Sequence, residues 1–242
     1  MRIRNPRRSA LTGAVAALGV CSVVLAFLAP GVEETKVDLN DGGVWVTNAK
    51  RGLVAHVNVP ARLMDAGLHA ASSSFDVFQN GEQVQVRDLS SDTLAAVDVT
   101  TATLAPPVEY KGMTTEARAG TVAIADTAGG RVWAQRADQL APIDAEGTDA
   151  GISGVPGAVT TVDGEGNVHA ASAEAGRVAS LVRHGALMDA TAADLVGVGA
   201  GDRLQIAAVG SDVVVWDQDV SELHLPGGRT QRIDGERLVL QE

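Results

Sequence analysis

The sequence contains one cysteine, Cys21, and few aromatic residues, which make up 3% of the chain. Cys21 lies in the N-terminal apolar run, so the rest of the chain has no thiol for a disulfide, a thiolate metal cluster or a cysteine nucleophile. Because aromatics are scarce, the core must consist mainly of valine, leucine, isoleucine and alanine. The 45% hydrophobic content excludes a disordered chain and, with many valines and threonines, favours β structure.

Basic residues are scarce beyond the first eight positions. That tip contains four of the 19 basic residues and no acid, so 15 basic residues face 30 acids in the remainder. The net charge is −11 for the whole chain and therefore −15 without the tip. A body this acidic repels a phosphate backbone, and we expect no nucleic-acid partner.

Residues 9–30, SALTGAVAALGVCSVVLAFLAP, form a 22-residue run without charge. This run is long enough to cross a bilayer, and the arginines before it predict that residues 1–8 are cytoplasmic. We therefore predict a single-pass signal-anchor helix, a linker over residues 31–42 and an extracytoplasmic domain over residues 43–242. A cleavable signal peptide, ending at Ala26, is the alternative, and it also places the body outside the cytoplasm.

Five segments share one pattern, in which an alternating or valine-rich run is followed by Asn, Asp or Gly and then by a second run. These segments are GVWVTNAKRGLVAHVNV from 43, FDVFQNGEQVQVRDL from 75, TVAIADTAGGRVWAQ from 121, AVTTVDGEGNVHAAS from 158 and LQIAAVGSDVVVWDQ from 204. Alternation with period two around such turns predicts β-hairpins. Apolar stretches at Leu94–Asp98, Leu140–Asp144 and Val178–Leu181 predict third strands.

The hairpins begin at intervals of 32, 46, 37 and 46 residues, close to the 40–45 residues of a propeller blade. The sequence thus predicts an all-β, propeller-like array of antiparallel blades after an N-terminal transmembrane helix. A β-sandwich is the alternative, but it does not explain the recurring phrase. About five blades fit, fewer than many propellers need to close, and ERLVLQE reads as a last strand without a partner. These two features predict the N-terminal part of a longer protein.

Gly43-Val-Trp-Val-Thr-Asn48, followed by Gly52-Leu-Val-Ala-His-Val57, resembles the repeat of bacterial surface propellers named for a Tyr-Val-Thr-Asn phrase. The whole layout, an arginine-tipped anchor followed by Asp38-Leu-Asn-Asp-Gly-Gly-Val-Trp-Val-Thr-Asn48 and valine-rich blades, resembles the N-terminal region of large actinobacterial envelope proteins. In that group, immunoglobulin-like or fibronectin type III domains follow the propeller. The resemblance implies an interaction role at the cell surface or envelope, without a known ligand. We expect the membrane, through residues 9–30, and an envelope protein or a polysaccharide as the partners to test.

One segment has oxygen ligands near the spacing of a calcium loop. It contains Asp163, Glu165 and Asn167, with Glu174 eleven positions after Asp163. Val168 stands where such a loop needs glycine, and a hairpin turn explains the segment without an ion. We therefore expect no metal and keep these four residues as the alternative ligand set.

The remaining candidates have simpler interpretations. Five histidines show no paired spacing, and we expect His56 and His169 to be outward residues of return strands, with a shared channel as the alternative. Trp45, Trp133 and Trp216 lie in predicted strands, where packing between blades competes with a sugar-binding platform. The glycines between 197 and 201 predict a loop between blades.

No catalytic or cofactor-binding motif is present in the sequence. We therefore expect a cell-envelope binding or scaffold module. The alternative is an accessory region of a secreted polysaccharide-acting hydrolase, which would need two carboxylates converging in a deep pocket.

Overall fold

The computed structural model describes residues 43–81, 83–185, 187–233 and 240, all within one compact unit, Asn40–Glu242. The predicted anchor at 9–30 and the linker at 31–42 lie outside the described residues, as does most of the predicted last strand. Among the described residues, no helix has the length and apolar character needed to cross a membrane.

In the described part of the chain, twenty strands form five antiparallel sheets in chain order. Sheet 1 contains β1 (Gly43–Asn48), β2 (Leu53–Asn58) and β3 (Leu63–His69), with a short 3-10 helix at Ala49–Arg51. Sheet 2 contains β4 (Phe75–Asn80), β5 (Gln83–Asp88), β6 (Thr93–Asp98), β7 (Thr103–Leu104) and β8 (Val108–Glu109). Both β7 and β8 pair with β6, and Pro106 and Pro107 stand between them. Prolines lack the N–H that a continuous outer strand would need.

The other three sheets have four strands each. Sheet 3 contains β9 (Thr114–Arg118), β10 (Thr121–Asp126), β11 (Arg131–Arg136) and β12 (Ile152–Ser153). Sheet 4 contains β13 (Val159–Val162), β14 (Val168–Ser172), β15 (Arg177–His184) and β16 (Leu187–Asp194). Sheet 5 contains β17 (Leu204–Val209), β18 (Asp212–Asp217), β19 (Glu222–Leu225) and β20 (Arg229–Arg232).

Each sheet packs against the next, and a separate apolar cluster fills each of the four interfaces. The first strands of the five sheets, β1, β4, β9, β13 and β17, neighbour one another in that order. Consecutive sheets joined through their first strands are the arrangement of propeller blades, not of one two-layer sandwich. The middle sheets bury both faces, which is why β10 and β14 are buried almost throughout.

The third unit differs from its predicted layout. TVAIAD and RVWAQR form β10 and β11, the second and third strands of sheet 3, because the unpredicted β9 precedes them. The predicted strand at Leu140–Asp144 is wrong, since this segment lies in the connection between β11 and β12 and contains Pro142. Leu140 and Ile143 nevertheless pack against the core between sheets 2 and 3. With β9 included, the sheets begin at residues 43, 75, 114, 159 and 204.

The turn between the second and third strands is the same in all five sheets. Four residues separate the strands, and the residue before them is Asn58, Asp88, Asp126, Ser172 or Asp217. In every case this side chain accepts a hydrogen bond from a backbone N–H of the turn. The last turn residue has a positive φ, being Arg62, Asp92, Gly130, Gly176 or Ser221. A short polar side chain that caps a tight turn is therefore the most regular feature of the repeat.

Candidate functional site

The predicted oxygen-ligand segment is the turn between β13 and β14, and its centre is Asp163. This side chain is 0% exposed. Its Oδ1 atom accepts hydrogen bonds from the backbone N–H groups of Glu165 (2.8 Å) and Asn167 (2.9 Å), and its Oδ2 atom accepts one from Asn167 Nδ2 (2.7 Å). Burial opposes the ionised form, but the hydrogen bonds outweigh burial and lower the pKa of Asp163. The carboxylate is thus held by protein donors.

The four alternative ligands do not converge. Asn167 turns inward, where its Oδ1 atom accepts a hydrogen bond from the backbone N–H of Arg183 at 2.7 Å. Glu165 is exposed at the tip of the turn, and Glu174 is exposed in the turn at the opposite end of β14. Asp163 and Asn167 are therefore structural residues of a buried turn.

His169 extends the network of Asp163 towards the next strand. Its Nε2 atom lies 3.3 Å from Asp163 Oδ2, and its Nδ1 atom lies 2.8 Å from Ser180 Oγ. An ionised carboxylate only accepts, so Nε2–H must donate to Asp163, and in the neutral ring Nδ1 accepts from the Ser180 hydroxyl. The prediction that His169 points outward is wrong, because the side chain is 4% exposed. Burial between two sheets overrides the alternation of β14.

A row of polar side chains crosses sheet 4 on the face towards sheet 5. Register pairs Thr161 with His169, His169 with Ser180 and Ser180 with Thr191. Across the interface lies His224 of β19, which is buried and whose Nε2 atom has no hydrogen-bond partner. The Oγ1 atom of Thr161 is likewise buried without a partner. Unpaired buried polar atoms are uncommon, and each calls for an explanation.

A cavity of about 250 Å³ lies at the outer part of this interface. Its walls come from β15 and β16 on one side and from β18, β19 and the turn before β20 on the other. The buried His224 and the half-buried Ser180 supply polar groups to it, and the exposed Thr191, Asp194 and Arg229 line its open side. The cavity therefore combines an apolar wall with a few convergent polar groups, as ligand sites do.

The remaining candidates have ordinary roles. His56 Nδ1 lies 2.6 Å from Asp65 Oδ1 on sheet 1, far along the chain from the buried His169 network. Trp133 and Trp216 are both 4% exposed, so they pack rather than form an exposed platform, and Trp45 packs partly against the cluster between sheets 1 and 2. The glycine-rich stretch 197–201 is a connection between β16 and β17, as predicted.

Sequence reasoning missed the cavity and His224. The cavity depends on how two sheets with different turns approach each other, which no local pattern records. A usable signal did exist in the turns. Aligning the five capped turns would have placed Asp217 with Asp88 and Asp126, and it would have placed an acid, Asp219, where Ser90 stands in sheet 2.

No family model and no curated protein matches the chain. Similar solved structures include Hsv2 from Kluyveromyces lactis, at 12% identity and a TM-score of 0.52, with 76% of this chain and 57% of that chain covered. Virginiamycin B lyase from Staphylococcus aureus has 12% identity and a TM-score of 0.50, with 81% and 68% covered. The dihydro-heme d1 dehydrogenase NirN has 13% identity and a TM-score of 0.56, with 87% of this chain and 47% of that chain covered.

The chain thus spans little more than half the length of Hsv2. At these identities the likeness concerns fold alone, and it agrees with the five sheets in assigning an all-β, β-propeller-like architecture.

Proposed function

We propose that this chain is an outward-facing binding module of a cell envelope, with its ligand site in the cavity between sheets 4 and 5. The observation that supports the site is a cavity of about 250 Å³ lined by the buried His224, whose Nε2 atom has no hydrogen-bond partner. A buried imidazole nitrogen without a partner costs free energy, and a ligand that turned the ring towards its own hydrogen-bonding group would recover that cost.

The cavity fits a protein segment better than a polysaccharide. Its wall includes Val178, Val213 and Val215, and no Trp, Tyr or Phe from the described part of the chain lines it. Sugar rings are commonly bound against aromatic faces, whereas an apolar wall with one buried imidazole suits an inserted side chain with a polar end. We therefore infer that the partner is an envelope protein with an extended segment that reaches this cavity.

A tryptophan at Thr191 tests the site by filling it. Thr191 and its neighbour Ala190 are both exposed, but only Thr191 lines the cavity, because successive strand residues face opposite sides of the sheet. We expect Thr191→Trp to weaken retention of the partner from solubilised envelope proteins at least about tenfold, while Ala190→Trp leaves it unchanged. His224→Phe should reproduce the loss. Retention that survives both cavity variants would place the binding surface elsewhere.

The cavity geometry also favours a second function, hydrolysis by a serine nucleophile. Ser180 borders the cavity and donates to His169, which in turn contacts the buried Asp163. A nucleophile, a base and a carboxylate that orients the base are the elements of serine hydrolase sites. Only one carboxylate, Asp194, lines the cavity within the described part of the chain, so this geometry does not match the paired acids of glycoside hydrolysis.

A fluorophosphonate probe separates the two functions. Labelling of the wild-type chain that is lost in Ser180→Ala and in His169→Gln would support acyl hydrolysis at Ser180. Ser153→Ala is the matched control, since Ser153 is exposed on β12 and takes no part in the hydrogen bonds between Ser180, His169 and Asp163. Absence of labelling with intact partner retention would leave binding as the function.

The location is tested separately from the cavity. Residues 9–30 should keep the chain in the membrane pellet after alkaline carbonate extraction, because an uncleaved apolar span is not released by charge changes. Protease added to cells with a permeabilised outer envelope should digest the body. Release of the full-length chain by carbonate, or protection of the body in such cells, would contradict the proposed topology.

A further inference from the structure

The capped turn of sheet 5 has an acid at the position where two other aspartate-capped turns have a hydroxyl. In the turns that begin at Asp88 and Asp98, the residue two positions on donates a hydroxyl to the aspartate, with Ser90 Oγ and Thr100 Oγ1 at 2.6 and 2.5 Å. In the turn that begins at Asp217, the equivalent residue is Asp219, which when ionised has no proton to donate. The Oδ1 atom of Asp217 still accepts backbone hydrogen bonds from residues 219 and 220, at 3.0 and 3.3 Å.

A third acid, Asp202, approaches Asp217 and Asp219 from the connection before β17. One carboxylate oxygen from each of Asp202, Asp217 and Asp219 lies within 4.8 Å of the others. Asp217 is 0% exposed, and its Oδ2 atom has no hydrogen-bond partner. A completely buried carboxylate oxygen that faces another acid instead of a donor is the feature that a capped turn alone does not explain.

The charge of this group is only partly balanced. Arg203 donates to Asp219 Oδ1 through Nε at 3.0 Å and through a terminal nitrogen at 2.7 Å, and its backbone N–H donates to Oδ2 at 2.7 Å. The Oδ2 atom of Asp202 accepts the backbone N–H of Gly199. Three carboxylates and one guanidinium have a net charge of −2, which one divalent cation would neutralise.

We propose that Asp202, Asp217 and Asp219 bind a calcium ion. Calcium takes oxygen ligands at about 2.4 Å, so two ligands of one ion lie at most about 4.8 Å apart, a limit that these three oxygen atoms satisfy. The donor set contains only oxygen, which excludes metals that need nitrogen or sulfur, and backbone carbonyls and water would complete the shell.

A cation held by these three carboxylates would tie the connection before β17 to the β18–β19 turn and so stabilise sheet 5.

The test uses the full 242-residue chain in detergent, freed of metal by a chelator and then titrated with calcium chloride. We expect saturable binding of one ion and a rise of several degrees in the melting temperature, with magnesium giving a smaller rise. Asp202→Asn should weaken calcium binding at least about tenfold and abolish the thermal shift. Asp98→Asn, in an equivalent capped turn without a second acid, should leave both unchanged.

Two results would overturn the proposal. One is an Asp202→Asn variant that binds calcium as well as wild type does. The other is a wild-type chain whose melting temperature does not respond to calcium; if mild acidification then stabilises wild type but not Asp217→Asn, Asp202 and Asp217 share a proton instead. Asp202 is only half-buried, so its variant remains informative if Asp217→Asn fails to fold.

Discussion

Gly130→Ala is expected to lower the free energy of unfolding by about 3 kcal/mol or more, through strain and overlap together. Gly130 is the last residue of the capped turn in sheet 3, with φ +66°. A Cβ atom there would lie 2.7 Å from the backbone nitrogen of Pro156 and 3.1 Å from its Cα atom. Those atoms belong to the segment before sheet 4, which is held by a 3.0 Å hydrogen bond from the Val155 N–H to the Gly130 carbonyl. Relief of the overlap would therefore separate two packed sheets.

Gly176→Ala supplies the matched control. Gly176 occupies the same turn position in sheet 4, with φ +61°, and no atom lies within 4 Å of the position that a Cβ atom would take there. The loss of unfolding free energy in Gly176→Ala then comes only from the left-handed backbone conformation and should be about 1 kcal/mol. Arg62, Asp92 and Ser221 show that this position accepts a side chain where space allows. Urea denaturation followed by tryptophan fluorescence measures both variants, because Trp133 and Trp216 are buried. Equal losses would refute the role assigned to Pro156.

Asp163→Ala should cost a similar amount, about 3 kcal/mol, because it leaves several buried donors unpaired. The side chains of Asn167 and His169 and two backbone N–H groups all donate to this carboxylate. The turn that Asp163 holds also packs against Thr121 of sheet 3, so loss of the carboxylate would loosen this contact. The Thr121 hydroxyl accepts a hydrogen bond from Arg183 at 2.9 Å. We expect a large shift of the urea midpoint without a change in the far-ultraviolet circular dichroism below the transition.

Asp98→Ala is the comparison for this variant. Asp98 caps an equivalent turn but is exposed, so water replaces its lost hydrogen bonds and the loss of stability should be much smaller than for Asp163→Ala. A cost for Asp98→Ala as large as that for Asp163→Ala would show that capping, not burial, sets the energy.

Acid should act on wild type partly through Asp163. The folded pKa of Asp163 is lowered, so its contribution is present above the unfolded pKa of about 3.9 and is lost as the pH falls through the lower folded value. The wild-type urea midpoint should therefore fall more steeply below about pH 4 than that of Asp163→Ala. Parallel profiles would mean that the other aspartates with lowered pKa values, such as Asp88 and Asp138, account for the acid effect.

The blades were predictable because their signals are local. Gly81, Gly130 and Gly166 supply the positive φ angles that the turns adopt. Leu94–Asp98 and Val178–Leu181 lie in β6 and β15, the third strands of their sheets, as predicted. Sheet 3 was misassigned for an equally physical reason. β9 reads TTEAR, with little apolar content, while Leu140–Asp144 is apolar because it packs onto a core without pairing.

The candidate site was less predictable, since its chemistry depends on distant residues. The sequence placed oxygen atoms at Asp163, Glu165, Asn167 and Glu174, but strand β14 separates Glu174 from the others. The proposed calcium group joins Asp202, before β17, to Asp217 and Asp219, after β18. Hairpin pairing brings the two ends of this strand pair together, and sequence spacing alone does not reveal such a meeting.

By itself, the sequence determined the β class, the repetition of hairpins and most of their turns, because period-two alternation and glycine conformation act over a few residues. Only the tertiary structure decided that sheets 1 to 5 pack in series, that His169 lies inside and that His224 borders a cavity. Burial is set by the sheet on the other side of an interface, and that partner is up to a whole blade away along the chain.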